Sequence, residues 1–457
     1  MKAAEAPYHR HHALAPPAAD PPLMFGWLKR LLGLEPATAG TRRGAGSGPA
    51  AAQTPEPPMA NFGLRRPLLG RGGRVAGVEL LLPPAAQRRL AERGDSPAAV
   101  AHHVALLSAA TALAASGRSA LVQLPAALLE RPTVVSAAGQ GVMLLIDKLG
   151  EVRRETLADL RSRGVMLGVP DGPPSPTPAV DFVALHAASG GIDTMLLSAQ
   201  RWREVVPRIL VVGMGLDDLD DLERALRGGV TLAGGKMGRS AQAAPRRDLG
   251  SAAHRICELL NHLALDRDTG VIAEAVRGDV ALTYRLLRYA NSPAIGLRRA
   301  VETVDEAVTL LGRTELYRWL SVQLMSAAAA RQASKALEEA ALARGRVLEA
   351  VARQRNDDNP GAHFTLGLLS LIEQLLQTPM ASALAPLRVS DMARQALLEK
   401  AGPWANRLQL LDLLDEGNAE RADALAIELG VQAELPAIVE DAWRWASEVR
   451  EGAVAQK

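Results

Sequence analysis

A single cysteine, Cys257, is all the thiol this chain of 457 residues carries. An intramolecular disulfide framework is therefore excluded, and the composition fits a reducing compartment. Long apolar runs are missing as well: none reaches the roughly 18 residues of a membrane-spanning helix. The longest candidate, Ala98 to Ala115, is split by His102 and His103 and reads as a buried Ala-rich helix. No secretory signal is visible, because Met1 is followed by Glu, His, Pro and Arg rather than an apolar core. The expected location is cytoplasmic. Charge of one sign is also lacking: 52 Lys and Arg stand against 50 Asp and Glu, a net charge of +2. Without a dense basic stripe, nucleic acid is not an expected partner.

What is present divides into segments. The length leaves room for two or three domains with substantial cores. Residues 1–64 are rich in Ala, Pro and Gly, and Pro16, Pro17, Pro21, Pro22, Pro55, Pro57 and Pro58 argue against regular structure. Met24 to Leu34 stands out. It reads as a short amphipathic helix touching a membrane or a partner, as a start at Met24 in place of Met1, or as part of a disordered segment. Residues 65–238 alternate strand and helix. Strands are expected at Val75–Leu82, Ala120–Leu124, Val142–Asp147, Val165–Val169, Phe182–Leu185 and Ile209–Val212. Ser96-Pro97 is an N-cap followed by proline at the first helical position. Glu151–Arg163 and Asp217–Arg227 are expected helices, stopped at Gly164 and Gly228. Apolar strands 20–30 residues apart, with helices between, imply a parallel sheet, and so many units favour a closed (β/α) barrel. Residues 239–252 read as a linker. Beyond it the pattern is all-helical over 253–450, with Ile256, Leu259, Leu260 and Leu263 at helical spacing. Thr303 to Glu306 forms a capping box, and Gly312 closes that helix. The change of pattern predicts two halves that fold separately.

Three stretches carry a family resemblance. They are Glu258-Leu-Leu-Asn261, then Gly278 to Ser292 (GDVALTYRLLRYANS), then Val301 to Gly312 (VETVDEAVTLLG). Together with Phe364 to Glu373 they resemble the HDOD domain. Its motif positions here are Asp279, Leu286, Leu287, Arg288, Asn291, Ser292 and Gly312. The resemblance implies a helical signalling domain that offers a face to protein partners in a bacterium. Asn291 and Ser292 are expected either to tie the helix to the next element or to touch a ligand. The alternating segment is similar to an EAL domain, the barrel that hydrolyses cyclic di-GMP. Arg66 to Leu82 resembles its opening strand pair, with Glu79-Leu80-Leu81 in the place of Glu-Ala-Leu; Ile209 to Leu216 resembles a later strand, and Thr231 to Lys236 the last one. The expected architecture is thus a degenerate EAL-like barrel followed by an all-α HDOD domain.

EAL chemistry requires two hard metal ions held by several carboxylates. At the positions that the resemblance matches, Glu79 is present. A phosphate-gripping arginine is replaced by Pro83, and a strand-end Asn by Gln123. The remaining ligand positions fall at Leu145 and Lys148, Pro170-Asp171, Ala184 and His186, Val212 and Gly215, and Ala233. A shift of register recovers at most Asp147 and Asp171. The vestigial positions are therefore Glu79 and Asp171, with no catalytic residue, metal or cofactor expected. The related HD phosphohydrolases require a His-Asp dipeptide, and none of the nine histidines precedes Asp. His363 reads as part of a core helix.

Other clusters have plain readings. His9, His11 and His12 lie in the tail; Gly229 to Lys236 is a failed P-loop match. Asp217, Asp218, Asp220 and Asp221 open a helix, where carboxylates favour the dipole. Asp266 and Asp268 read as loop acids and Cys257 as a structural thiol. The expected function is non-catalytic signal regulation through protein partners of unknown identity. The alternatives are a non-hydrolytic cyclic di-GMP receptor and, behind it, an active phosphodiesterase.

Overall fold

The computed structural model describes residues 64–81, 96–174, 180–187, 190–238, 250–291, 300–327 and 331–454, with isolated positions between 88 and 94. The expectations for residues 1–63, including Met24 to Leu34 and the histidines of the tail, lie outside the described residues, as do Pro83, residues 239–249 of the linker and Ser292.

Eight strands close into a barrel in chain order. They are β1 (Leu64–Gly70), β2 (Val75–Leu81), β3 (Ser119–Leu124), β4 (Val142–Ile146), β5 (Met166–Pro170), β6 (Phe182–His186), β7 (Leu210–Leu216) and β8 (Leu232–Gly235). β1 runs antiparallel to both β2 and β8, while β2 to β8 are parallel. Parallel neighbours need crossover connections, and helices such as Pro97–Ala114, Arg154–Ser162, Gly191–Val205 and Leu219–Arg227 supply them. Local chemistry sets several of their ends. The Ser96 hydroxyl accepts from Ala99 N at 3.4 Å, and Gly164 takes φ +78° after the Arg154–Ser162 helix. Against the expectation that no run reaches that length, Pro97–Ala114 is long and apolar enough to cross a membrane, the one such helix among the described residues, because His102 and His103 do not interrupt the helix. Here its Leu106, Leu107 and Ala110 pack on the barrel with Val122 and Leu144. His103 is buried in that face, its Nδ1 2.8 Å from the Ala99 carbonyl.

The rest is helical from Ser251 to Val454. The expected linker is shorter than 239–252, because Ser251 and Ala252 already belong to the Ser251–Ala264 helix. The β1–β2 hairpin carries no crossover helix of its own, and the helical region covers that flank. The Ser334–Gln354 helix packs against β2 and the Ala405–Glu416 helix against β1. Gly73 permits the approach. It has φ +67°, and a Cβ there would sit 1.6 Å from the Gln332 carbonyl oxygen. Leu69, Val75, Ala233 and Met237 of the barrel share one buried cluster with Ala336, Leu337 and Ala340.

Polar contacts tie the same joint. Arg331 reaches Glu223 Oε1 at 2.9 Å and Asp220 Oδ1 at 2.8 Å, and Ala333 N donates to Glu223 at 2.9 Å. Arg118 meets Glu339 at 2.5 Å, Arg65 pairs with Glu440, and Gln374 Nε2 donates to Gly238 O at 2.9 Å. Against the expectation of separately folding halves, this packing places them around a shared interior.

Candidate functional site

The carboxyl ends of parallel barrel strands are where such folds present functional side chains. Cα-paired residues on neighbouring strands point to the same face, so register identifies what faces inward. Leu68, Leu121, Met143, Leu145, Phe182, Ala184, Val212, Met214 and Leu232 form the interior cluster. Phe182 fills space left by Gly168, where a Cβ would lie 2.3 Å from its ring. Pairings Arg66↔Glu79 and Glu79↔Leu121 put Arg66 and Glu79 on that inner face; Gln123↔Leu145 and His186↔Met214 add Gln123 and His186 near the mouth.

Glu79 is only 4 % exposed, and burial pushes its carboxyl above the usual range while Arg66 pulls it down. Arg66 Nη1 lies 3.3 Å from Glu79 Oε2, but that oxygen accepts no well-aligned hydrogen bond. His186 stands over Gly215, where a Cβ would be 2.4 Å from its ring. Burial, and then the Arg66 charge, lower its basicity.

This set does not fit a pair of hard cations. Three of the matched ligand positions, Leu145, Ala184 and Val212, face inward as aliphatic side chains. The two acids that a shifted register recovers have other tasks. Asp147 Oδ1 accepts from Ala126 N at 3.3 Å and Lys148 N at 2.9 Å; Asp171 accepts from Ser198 at 2.8 Å. Among the described residues, no group of three or more His, Cys, Asp or Glu side chains could hold a metal ion.

The HDOD motif has clear structural roles. Asp279 caps the Val280–Ala290 helix, accepting from Leu282 N at 3.0 Å, and pairs with Arg255 at the same distance. Leu282 and Leu286 are buried, Leu287 is partly buried, and Arg288 is exposed. Asn291 closes a bracket: its Nδ2 donates to Leu287 O at 2.8 Å and Val301 O at 2.7 Å, and its Oδ1 accepts from Val301 N at 2.6 Å. This is the tie to the next element that its place after the helix suggests. Gly312, with non-helical φ +68° and ψ 171°, closes the first of two helices that follow one another across a kink within Val304–Ala327.

Sequence reasoning missed the buried ion network of the helical region. Arg344 meets Asp412 at 2.6 Å, Asp415 at 2.8 Å and Ser370 at 2.8 Å; Arg318 pairs with Glu349. It also missed a His–Asp approach across a turn. His363 Nε2 lies 3.6 Å from Asp357 Oδ2, with the ring 4.4 Å from that of Trp404. Arg407 already engages that carboxylate at 2.8 Å, and burial lowers the basicity of His363. No dipeptide signal could have revealed the approach. The acid cluster at 217–221 resolves into a cap, since Asp218 accepts from Asp221 N at 2.9 Å, and the Asp220 contact to Arg331. Asp268 likewise caps a helix through Gly270 N, and Asp266 pairs with Arg313 at 2.8 Å. Burial pushes the Cys257 thiol up to about 11, fitting a structural role.

Residues 249–401 match the model of the HDOD domain family. The helical region contains the HDOD domain. Over 212 residues the chain is 25 % identical to the uncharacterized protein YuxH of Bacillus subtilis, covering 46 % of this chain and 52 % of YuxH. It therefore spans about half the length of that relative. Over 313 residues it is 22 % identical to the cyclic di-GMP phosphodiesterase CdgJ of Vibrio cholerae, covering 65 % of this chain and 70 % of CdgJ. Among solved structures, an EAL domain protein of Listeria monocytogenes aligns with 38 % of this chain and 84 % of its own, at 12 % identity and TM-score 0.30. The PaMucR phosphodiesterase in complex with c-di-GMP aligns with 38 % of this chain and 92 % of its own, at 16 % identity and TM-score 0.31.

Proposed function

We propose that this protein is a non-hydrolytic regulator in cyclic di-GMP signalling, acting in the cytoplasm through protein contacts of its HDOD region. The observation that carries the reading is the interior of the barrel mouth. Leu145, Ala184 and Val212 stand at the matched ligand positions, and among the described residues Glu79, held beside Arg66, joins no group of acids, histidines or thiols that could hold a metal. One carboxylate cannot supply the oxygen ligands that two hard cations demand. In this reading the barrel supports the helical region instead of turning over a substrate. The test is a hydrolysis assay of purified protein with cyclic di-GMP and Mg²⁺ or Mn²⁺. Product no greater than that of a Glu79→Ala control is expected; product above that control overturns the reading.

A second reading, a non-hydrolytic cyclic di-GMP receptor, draws on the polar groups left at the mouth. Arg66, Gln123 and His186 offer a cation and hydrogen-bonding groups to a phosphate and a base edge. Calorimetric titration with cyclic di-GMP, with and without Mg²⁺, separates the readings: metal-independent binding lost in Arg66→Ala favours the receptor.

A further inference from the structure

We infer that the exposed face of the Val280–Ala290 helix is a docking surface for an acidic, apolar-anchored protein segment. The inference rests on the binding-module reading of the HDOD region. The buried side of this helix is Leu282, Leu286 and Ala290. The opposite side presents Val280, Ala281, Tyr284, Arg285 and Arg288 to solvent. Val280 is 84 % exposed and Tyr284 63 % exposed, four residues apart and so on one face. A scattered exposed apolar residue needs no explanation, but two on one ridge beside cations form a patch. The Arg288 guanidinium lies over the Tyr284 ring, 6.0 Å from its centroid. Arg285 extends alongside toward Gln323 Oε1 at 3.3 Å.

Charge selects the occupant. The helix contains two arginines and no acid from Val280 to Ala290. The carboxylate of its cap, Asp279, is engaged by Arg255 and Leu282 N. A partner that covers this ridge must bring apolar side chains to Val280 and Tyr284 and carboxylates to the guanidiniums. Tyr and Arg are also the residue types that most often dominate binding energy at protein interfaces. Nucleic acid fits less well, because two cations make no track of phosphate contacts.

The test uses the full chain and fluorescence anisotropy. The probes are a labelled helical peptide with Leu on one face and Glu on the other, its Lys-for-Glu counterpart, and a labelled single-stranded oligonucleotide. The Glu/Leu peptide is expected to bind. Tyr284→Ala and Arg288→Glu should each weaken it about thirtyfold, the scale of an interface hot spot. Both variants should keep the wild-type melting temperature. Failure of the Glu/Leu peptide to bind, equal binding of the Lys/Leu peptide, tighter binding of the oligonucleotide, or undiminished binding by both variants overturns the inference. So does a wild-type dimer in sedimentation that Tyr284→Ala dissociates, since the face would then belong to a second copy. Hydrolysis of cyclic di-GMP by the wild type would end the non-catalytic reading without touching these peptide measurements.

Discussion

Individual side chains of the HDOD motif separate scaffold from surface. Leu286 is fully buried, and Leu286→Ala should cost about 2–5 kcal/mol through lost transfer energy and the cavity left behind. Arg288 is exposed two residues later, and Arg288→Ala should change stability by about 0.5 kcal/mol or less. Thermal melts of the full-length variants check both, and equal losses would move Arg288 into the scaffold. Asp279 adds a pH dependence. Its hydrogen bond from Leu282 N is the largest influence on it and holds its carboxyl below the usual range. A depressed acid stabilises the fold above its unfolded pKa of about 3.8, and that gain is lost as pH falls through the lower folded value. Asp279→Ala should therefore cost about 1 kcal/mol at neutral pH. The wild type and variant should converge in strong acid, as denaturant melts at several pH values would show.

Single elements depend on a few backbone decisions. The kink at Gly312 combines φ +68° with ψ 171°, a conformation that a side chain strongly disfavours. Nothing lies within 4 Å of a Cβ built there, so Gly312→Ala should cost about 1–3 kcal/mol from backbone strain alone. A melt showing no loss would mean that the helix straightens at little cost. The motif's glycine is legible in the sequence, and so is its task of stopping a helix. Local signals do not carry the second helix that follows across the kink, with Leu316 and Leu320 buried in the core. The strand-to-helix order was similarly legible, because apolar runs and caps are local signals. Periodicity does not carry β1, because Arg65, Arg66 and Pro67 break its apolar pattern; the resemblance of Arg66 to Leu82 to an opening strand pair does, and pairing with β2 and β8 sets its place.

The whole molecule should behave as one cooperative body. The Arg331–Glu223 pair crosses the joint, with side chains 6 % and 8 % exposed. Removing one partner of a buried pair strands the other charge, so Arg331→Ala should cost about 3–5 kcal/mol. If calorimetry shows the full chain melting in two independent transitions, each unaffected by events in the other half, the shared interior contributes little. A single transition, lowered throughout by Arg331→Ala, is expected.

Composition and periodicity by themselves determined the alternating barrel pattern and the change to a helical one, while the family resemblance supplied the barrel positions at which carboxylates are scarce. These are properties of neighbouring residues or of counts, which need no knowledge of contacts at long range. Tertiary structure alone decided that Leu145, Ala184 and Val212 face inward, because a shift of one residue along a strand reverses every side chain. It also decided the purpose of Glu223 and Arg331. They lie 108 positions apart, and no local pattern pairs residues that meet only when a helix from one half closes the open flank of the other.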